Sequence, residues 1–186
     1  MHKFNLNKLR SIFLGTLLLS SANCIAEPLE LTIPDLEQHG FTAKFVANQF
    51  GCQGENISPQ ILWENLPEHA KSLVLTMFDP DAPTGSGWWH WVIVNIPVST
   101  QSIVQSAGNH TELLPNGSQL IRNDFGVSLY GGPCPPEKTN HRYQFTLYAL
   151  DIDHIEINDQ TTPALIGFIA NSHQIAKAAV SYNYSR

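Results

Sequence analysis

Two almost unbroken apolar runs, residues 73–78 (Leu-Val-Leu-Thr-Met-Phe) and 91–96 (Trp-Val-Ile-Val-Asn-Ile), constrain the fold more than anything else in this chain. Each is rich in β-branched and aromatic side chains, and each is halted at a proline: Asp79-Pro80 after the first, Pro97 after the second. Apolar side chains at both parities of a strand must be covered on both faces, so these segments are expected as buried strands with material above and below. Residues 143–150 carry the other strand signature. Tyr143, Phe145, Leu147 and Ala149 fall on one face, and Gln144, Thr146, Tyr148 and Leu150 on the other. Shorter strands are expected near 29–33, 41–45, 61–63 and 178–184. One helix is expected from Thr162, which can cap it, through Pro163 in its first turn to Leu165, Ile166, Ile169 and His173 at helical spacing. Many strands, frequent turn signals and few helices specify a mainly β protein, a β-sandwich.

The first 26 residues stand apart. Lys3, Lys8 and Arg10 make a positive start, residues 11–22 a short apolar run, and Ala26 with Cys24 two positions earlier a small-residue cleavage site. This is the pattern of a secretory signal peptide cut after Ala26, too short and wrongly flanked for a spanning helix. Lipid attachment at Cys24 fits less well, because Ser21-Ala22-Asn23 lacks the aliphatic first and tiny last residue such sites use. The expectation is an exported domain, residues 27–186, periplasmic or secreted, with no later run long enough to span a bilayer. Without the leader, seven Lys and Arg face sixteen Asp and Glu, a net charge of −9. So acidic a domain lacks the basic patch that nucleic acid or an anionic membrane surface requires. Its roughly 160 residues suffice for one domain with its own core.

Two cysteines remain, Cys52 and Cys134. In an exported chain that number points to a disulfide. Two free thiols, a reactive thiol and a metal ligand are the alternatives, but neither residue lies in a Cys-x-x-Cys pair. A bridge would tie the loop before Asn56 to the segment Tyr130-Gly131-Gly132-Pro133-Cys134-Pro135-Pro136, which has too much glycine and proline for a helix or a central strand.

Unusual polar residues cluster around these segments. Asp79 and Asp81 follow the first strand and His90 opens the next, while His141 and Tyr143 are two apart and share a strand face that excludes Arg142. Loops on one rim of a sandwich can converge, giving two carboxylates, two imidazoles and a phenol around one concavity.

These residues resemble a known family. Asn56-Ile57-Ser58-Pro59 with Trp63 and Pro67, Asp79-Pro80-Asp81-Ala82-Pro83, Trp88-Trp89-His90-Trp91, residues 131–136 and His141-Arg142-Tyr143 occur in the order found in phosphatidylethanolamine-binding proteins, the likeness being greatest to the bacterial, Raf-kinase-inhibitor-like branch. The resemblance runs from about Leu29 to the C-terminus and implies an antiparallel Greek-key sandwich with a small anion cavity at one end. It implies that Asp79, Asp81, His90, His141 and Tyr143 line that cavity, with Gly132, Cys134 and Pro135 from the loop and Trp88 as an apolar wall. With the tight turn, it also implies a cis Ala82–Pro83 peptide. The loop from Pro136 to His141 is one residue shorter than in eukaryotic members and contains Glu137, so the kinase-regulating role does not carry over.

The chemistry suits a small anionic or zwitterionic ligand. Backbone N–H groups of the glycine loop, the Tyr143 hydroxyl and the imidazoles can donate to phosphate oxygens, and an aspartate can meet an ammonium or hold a histidine in its donor state. Binding should then strengthen as pH falls through the histidine range near ~6.5. An EF-hand is excluded, since Pro83, Thr84 and His90 occupy the fifth, sixth and twelfth positions of a loop begun at Asp79. No His-Glu-x-x-His motif supports a zinc hydrolase and no Gly-x-Ser-x-Gly elbow supports a serine nucleophile. The reading is therefore a non-enzymatic binding protein without a cofactor, with room for a homodimer. The alternatives are an interaction or inhibitor module whose protein partner docks over the cavity mouth, and a zinc hydrolase built on His90, His141 and an aspartate.

Overall fold

The computed structural model describes residues 27–186, so the expected leader, its cleavage after Ala26 and Cys24 lie outside the described residues. In chain order the elements are β1 (Glu30–Thr32), α1 (Pro34–His39), β2 (Ile61–Glu64), β3 (Ser72–Asp79), β4 (Trp88–Ile96), β5 (Ser102–Ile103), a 3-10 turn (Thr111–Leu113), β6 (Gln119–Leu120), β7 (Asn140–Leu150), α2 (Pro163–His173) and β8 (Gln174–Ser185). The strands form two antiparallel sheets, one ordered β1-β2-β5 and the other β6-β4-β3-β7-β8.

The expectation that β3 is covered on both faces holds, and the cover differs on each. Leu73, Leu75 and Met77 enter the core shared with Leu31, Ile61 and Trp63 of the small sheet. Val74 enters a second cluster with Val92, Val94 and Tyr148, closed by Ile166 and Ala170 of α2. β7 divides the same way: Tyr143, Phe145, Leu147 and Ala149 face the small sheet, whereas Tyr148 and Leu150 face α2. Gln144 lies where helix cover has ended and is exposed.

Thr162 caps α2 as expected, its hydroxyl accepting from the Leu165 N–H at 3.2 Å. The buried stripe is Ile166, Gly167 and Ala170, and Leu165 points outward. Residues 41–45 form turns instead of the expected strand: Phe41 and Phe45 are buried, but the Phe45 N–H turns back to the Thr42 carbonyl, and the Ala43 and Lys44 carbonyls accept from Glu55 and Ile57. Two core aromatics four apart satisfied the apolar pattern without a ladder to pair with.

Candidate functional site

The site begins in the turn between β3 and β4. Asp79 Oδ1 accepts the Asp81 N–H at 2.8 Å, an Asx bend that starts the reversal. Gly87, at φ 74°, completes it where the Phe78 ring leaves no room for a Cβ. Ala82–Pro83 is trans, since no described peptide bond is cis, which overturns the cis expectation. The Asx bend and the left-handed Gly85 and Gly87 turn the chain without it.

His90 owes its orientation to a β-bulge. Met77 pairs with Trp91 and Phe78 with Trp89, leaving His90 as an extra residue between them. Trp91 therefore enters the inter-sheet core, while Trp89 packs toward α2. The imidazole is fixed by Gly131: the Gly131 N–H donates to the His90 carbonyl at 3.0 Å, and His90 Nδ1 lies 2.7 Å from the Gly131 carbonyl. A carbonyl only accepts, so Nδ1 carries the proton. Burial pushes this imidazole down to about 4, only partly opposed by the Gly131 carbonyl and Asp79, so at neutral pH it is uncharged with a lone pair on Nε2. Both imidazoles were expected as donors; His90 instead presents an acceptor.

β7 supplies the other wall. His141 Nδ1 donates to Asp79 Oδ2 at 2.7 Å, with both side chains buried. Tyr143 lies beside His90, ring centroids 5.1 Å apart and nearly perpendicular. Burial first, then Asp79, pushes the Tyr143 phenol far above its ordinary range, so it remains an O–H donor. Its oxygen is buried without a hydrogen-bond partner among the described residues, and so is Trp88 Nε1. The Cys134 backbone N–H faces the same phenol oxygen.

Asp79, Trp88, His90, Cys134, Pro135, His141 and Tyr143 line one cavity of about 390 Å³. Two expected members do not. Asp81 turns to the outer face, where its carboxylate takes the Arg142 Nε at 2.9 Å and Nη2 at 2.8 Å, bonds that hold it down at about 2. Strand alternation that brings His141 and Tyr143 inward necessarily sends Arg142, and the carboxylate that meets it, outward. Gly132 donates its N–H to Asn56 Oδ1 at 2.7 Å, and its missing Cβ lets the loop lie against the backbone of Phe45 and Ala47. It shapes the loop without reaching the cavity.

The loop is tied down by the Cys52–Cys134 disulfide. Beyond the expected set, Ala82, Pro83, Thr84 and Pro136 line the cavity from the motifs already singled out, whereas Phe50, Phe125 and Arg186 come from outside them. The last three carry no mark in the sequence, because each arrives from a loop or strand end placed by the tertiary fold. Arg186 Nη1 lies 3.1 Å from the Phe50 carbonyl and 3.1 Å from Cys134 Sγ. Among the described residues no three His, Cys, Asp or Glu side chains are grouped to hold a metal ion, which leaves the zinc alternative without a cluster. No helix of the described residues is long and apolar enough to cross a membrane.

The family model described as phosphatidylethanolamine-binding protein matches residues 37–185. The UPF0098 protein YbhB of Escherichia coli strain K12 is 43% identical over 142 residues, covering 76% of this chain and 90% of the relative. The UPF0098 protein YbcL of the same organism is 43% identical over 145 residues, covering 77% and 79%. The crystal structure of E. coli YbcL, described as a new member of the mammalian PEBP family, superposes with a TM-score of 0.80 at 38% identity, over 86% of this chain and 99% of that one. The Chlamydia trachomatis homologue CT736 gives 0.64 at 28% identity, over 86% and 98%. A family match spanning most of the described residues, and a shared fold at this identity, settle the assignment: the chain belongs to the phosphatidylethanolamine-binding protein family.

Proposed function

We propose that this is an exported, non-enzymatic binding protein whose cavity receives a small molecule bearing a phosphate or carboxylate, with phosphoethanolamine as a representative headgroup. The observation that carries this reading is the pair of buried donors without partners, the Tyr143 hydroxyl and Trp88 Nε1, on the wall of one cavity. A buried donor left unsatisfied costs about 1–3 kcal/mol, and an anion in the cavity relieves that cost. Asp79 fixes His141 beside them and adds one further ring nitrogen to the wall. Isothermal titration of residues 27–186 with phosphoethanolamine tests the reading. His141→Ala should weaken binding by roughly 1.5–3 kcal/mol, the worth of a charge-assisted hydrogen bond. Unchanged affinity in that variant, with its circular dichroism intact, sinks the proposal. Export is tested by N-terminal sequencing of secreted material, which should begin at Glu27; a retained leader or a lipid on Cys24 contradicts it.

A second reading, a protein partner docked over the mouth, is favoured by the apolar rim. Phe50 is 66% exposed and rests against Phe125, ring centroids 5.7 Å apart. Under that reading Phe50→Ser abolishes partner binding.

A further inference from the structure

The proposed anion cavity contains a feature that a site for fully ionised anions has no use for. Two residues of its wall carry donors without a protein partner, the Tyr143 O–H and the Trp88 Nε1–H. His90 does the opposite. Its Nδ1 proton is committed to the Gly131 carbonyl at 2.7 Å, and no described group donates to its Nε2. A neutral imidazole with a protonated Nδ1 can only accept at Nε2. A sulfate or a phosphodiester, which only accepts, would set its oxygens against that lone pair. A phosphate monoester in its monoanionic state carries both parts: two oxygens to accept and one P–OH to donate.

We propose that the cavity selects the singly protonated phosphate monoester, with the P–OH donating to His90 Nε2 and the remaining oxygens taking the Tyr143 and Trp88 donors. This rests on the anion reading above and narrows it to one protonation state. Phosphodiesters, including the headgroup of an intact phospholipid, are disfavoured because they have no P–OH. The apolar mouth of Phe50, Trp88 and Phe125 takes the organic part of the ester.

The groups that face His90 bear on its state. Asp79 on β3 favours the charged imidazole and His141 on β7 opposes it; Tyr143 stacks edge-on as a neutral phenol, and Arg186 stands at the mouth. Burial outweighs them, and His90 keeps its lone pair down to about pH 4. The ligand loses its proton much earlier, near ~6 for a phosphate monoester.

Three probes of equal charge isolate the hydroxyl: phenyl phosphate, phenyl sulfate and methyl phenyl phosphate, titrated calorimetrically into residues 27–186 at pH 5. All three are then monoanions, and only the first carries P–OH. Phenyl phosphate should bind at least about tenfold more tightly than the others, the worth of one good hydrogen bond with its unmade penalty. By pH 8 only about 1% of the ester keeps its proton, so the advantage over phenyl sulfate should shrink by up to about 100-fold. Using the ratio of the two ligands cancels titrations of the protein that affect both. In His90→Phe the ratio should approach one at pH 5; should that variant fail to fold, the comparison of the three probes on the native chain decides alone. Equal affinities at pH 5, or a phosphate advantage that persists unchanged at pH 8, overturn the proposal while leaving the anion reading standing. Failure of all three to bind overturns both.

Discussion

Asp79 and Asp81 are two residues apart in one turn, and they pair with neighbours on one strand, His141 and Arg142, yet the two pairs live in different media. The Asp79–His141 pair is closed, with side-chain exposures of 4% and 6%. The Asp81–Arg142 pair is open, at 30% and 59%. By geometry alone the outer pair is the better ion pair, with two side-chain contacts and a third from the Arg142 backbone. Water and salt screen it, so little of that geometry reaches the stability of the fold. The inner pair makes a single contact, but it is shut away from water, and apart from the Asp81 N–H the Asp79 carboxylate has only His141 to meet its charge. The number of bonds is thus a poor guide to which aspartate matters; the medium decides.

The largest expected effect breaks the inner pair. Asp79→Ala strands His141 in a buried site and frees the Asp81 N–H, and should cost about 3–5 kcal/mol in urea denaturation. A loss no larger than that of an ordinary surface substitution would show the inner pair to be as solvated as the outer one.

Next in size is the pH dependence that burial imposes on His90. Its folded value, about 4, lies below the unfolded ~6.5, so between these values the unfolded chain takes a proton that the folded one refuses. Stability should therefore fall as pH drops from 6.5 to 4, then level off, by on the order of 3 kcal/mol from this group. His90→Phe should flatten that part of the curve. An identical slope in both proteins would place the titration elsewhere.

Tyr143→Phe sharpens the contrast from the ligand's side. Phosphoethanolamine affinity should fall by about 1 kcal/mol, whereas the ligand-free protein should lose little stability, because the O–H it removes donates to no described group. Lost stability with unchanged affinity would make that hydroxyl structural.

The smallest effect belongs to the outer pair. The depressed Asp81 carboxyl contributes stability above its ordinary 3.8, and this is lost as pH falls through about 2. Arg142→Ala should remove that acid limb and its salt sensitivity, with little change in stability at neutral pH. A neutral-pH loss comparable to that of Asp79→Ala would erase the distinction between the pairs.

The large sheet was legible because burial on two faces leaves a mark in composition. Residues 73–78 were apolar at every position but Thr76, and they became a strand sandwiched between the small sheet and α2. The inward set was legible on β7, where period two alone put His141 and Tyr143 on one side. The same rule contained the fate of Asp81, since a carboxylate that meets Arg142 must go outward, but only the pairing of β3 with β7 revealed that it does. Arg186 and Phe50 were illegible: their contact joins positions 136 residues apart. The role of Gly132 was half legible, its missing side chain being required by backbone neighbours, Phe45 and Ala47, far away in sequence.

The bulge at His90 puts the site on a matter of counting. From Trp91 to Ile93 β4 keeps one phase with β3, and upstream of the bulge it runs in the other, so a single residue of length decides which side of the sheet each aromatic of Trp88-Trp89-His90-Trp91 addresses. Deleting one residue there would restore a regular ladder from Trp88 to Ile93 and change almost nothing in composition. It would also reassign Trp89 between the two cores and withdraw the imidazole from the cavity. Drift by substitution can retune this pocket gradually, whereas drift by insertion or deletion at this point can only switch it off.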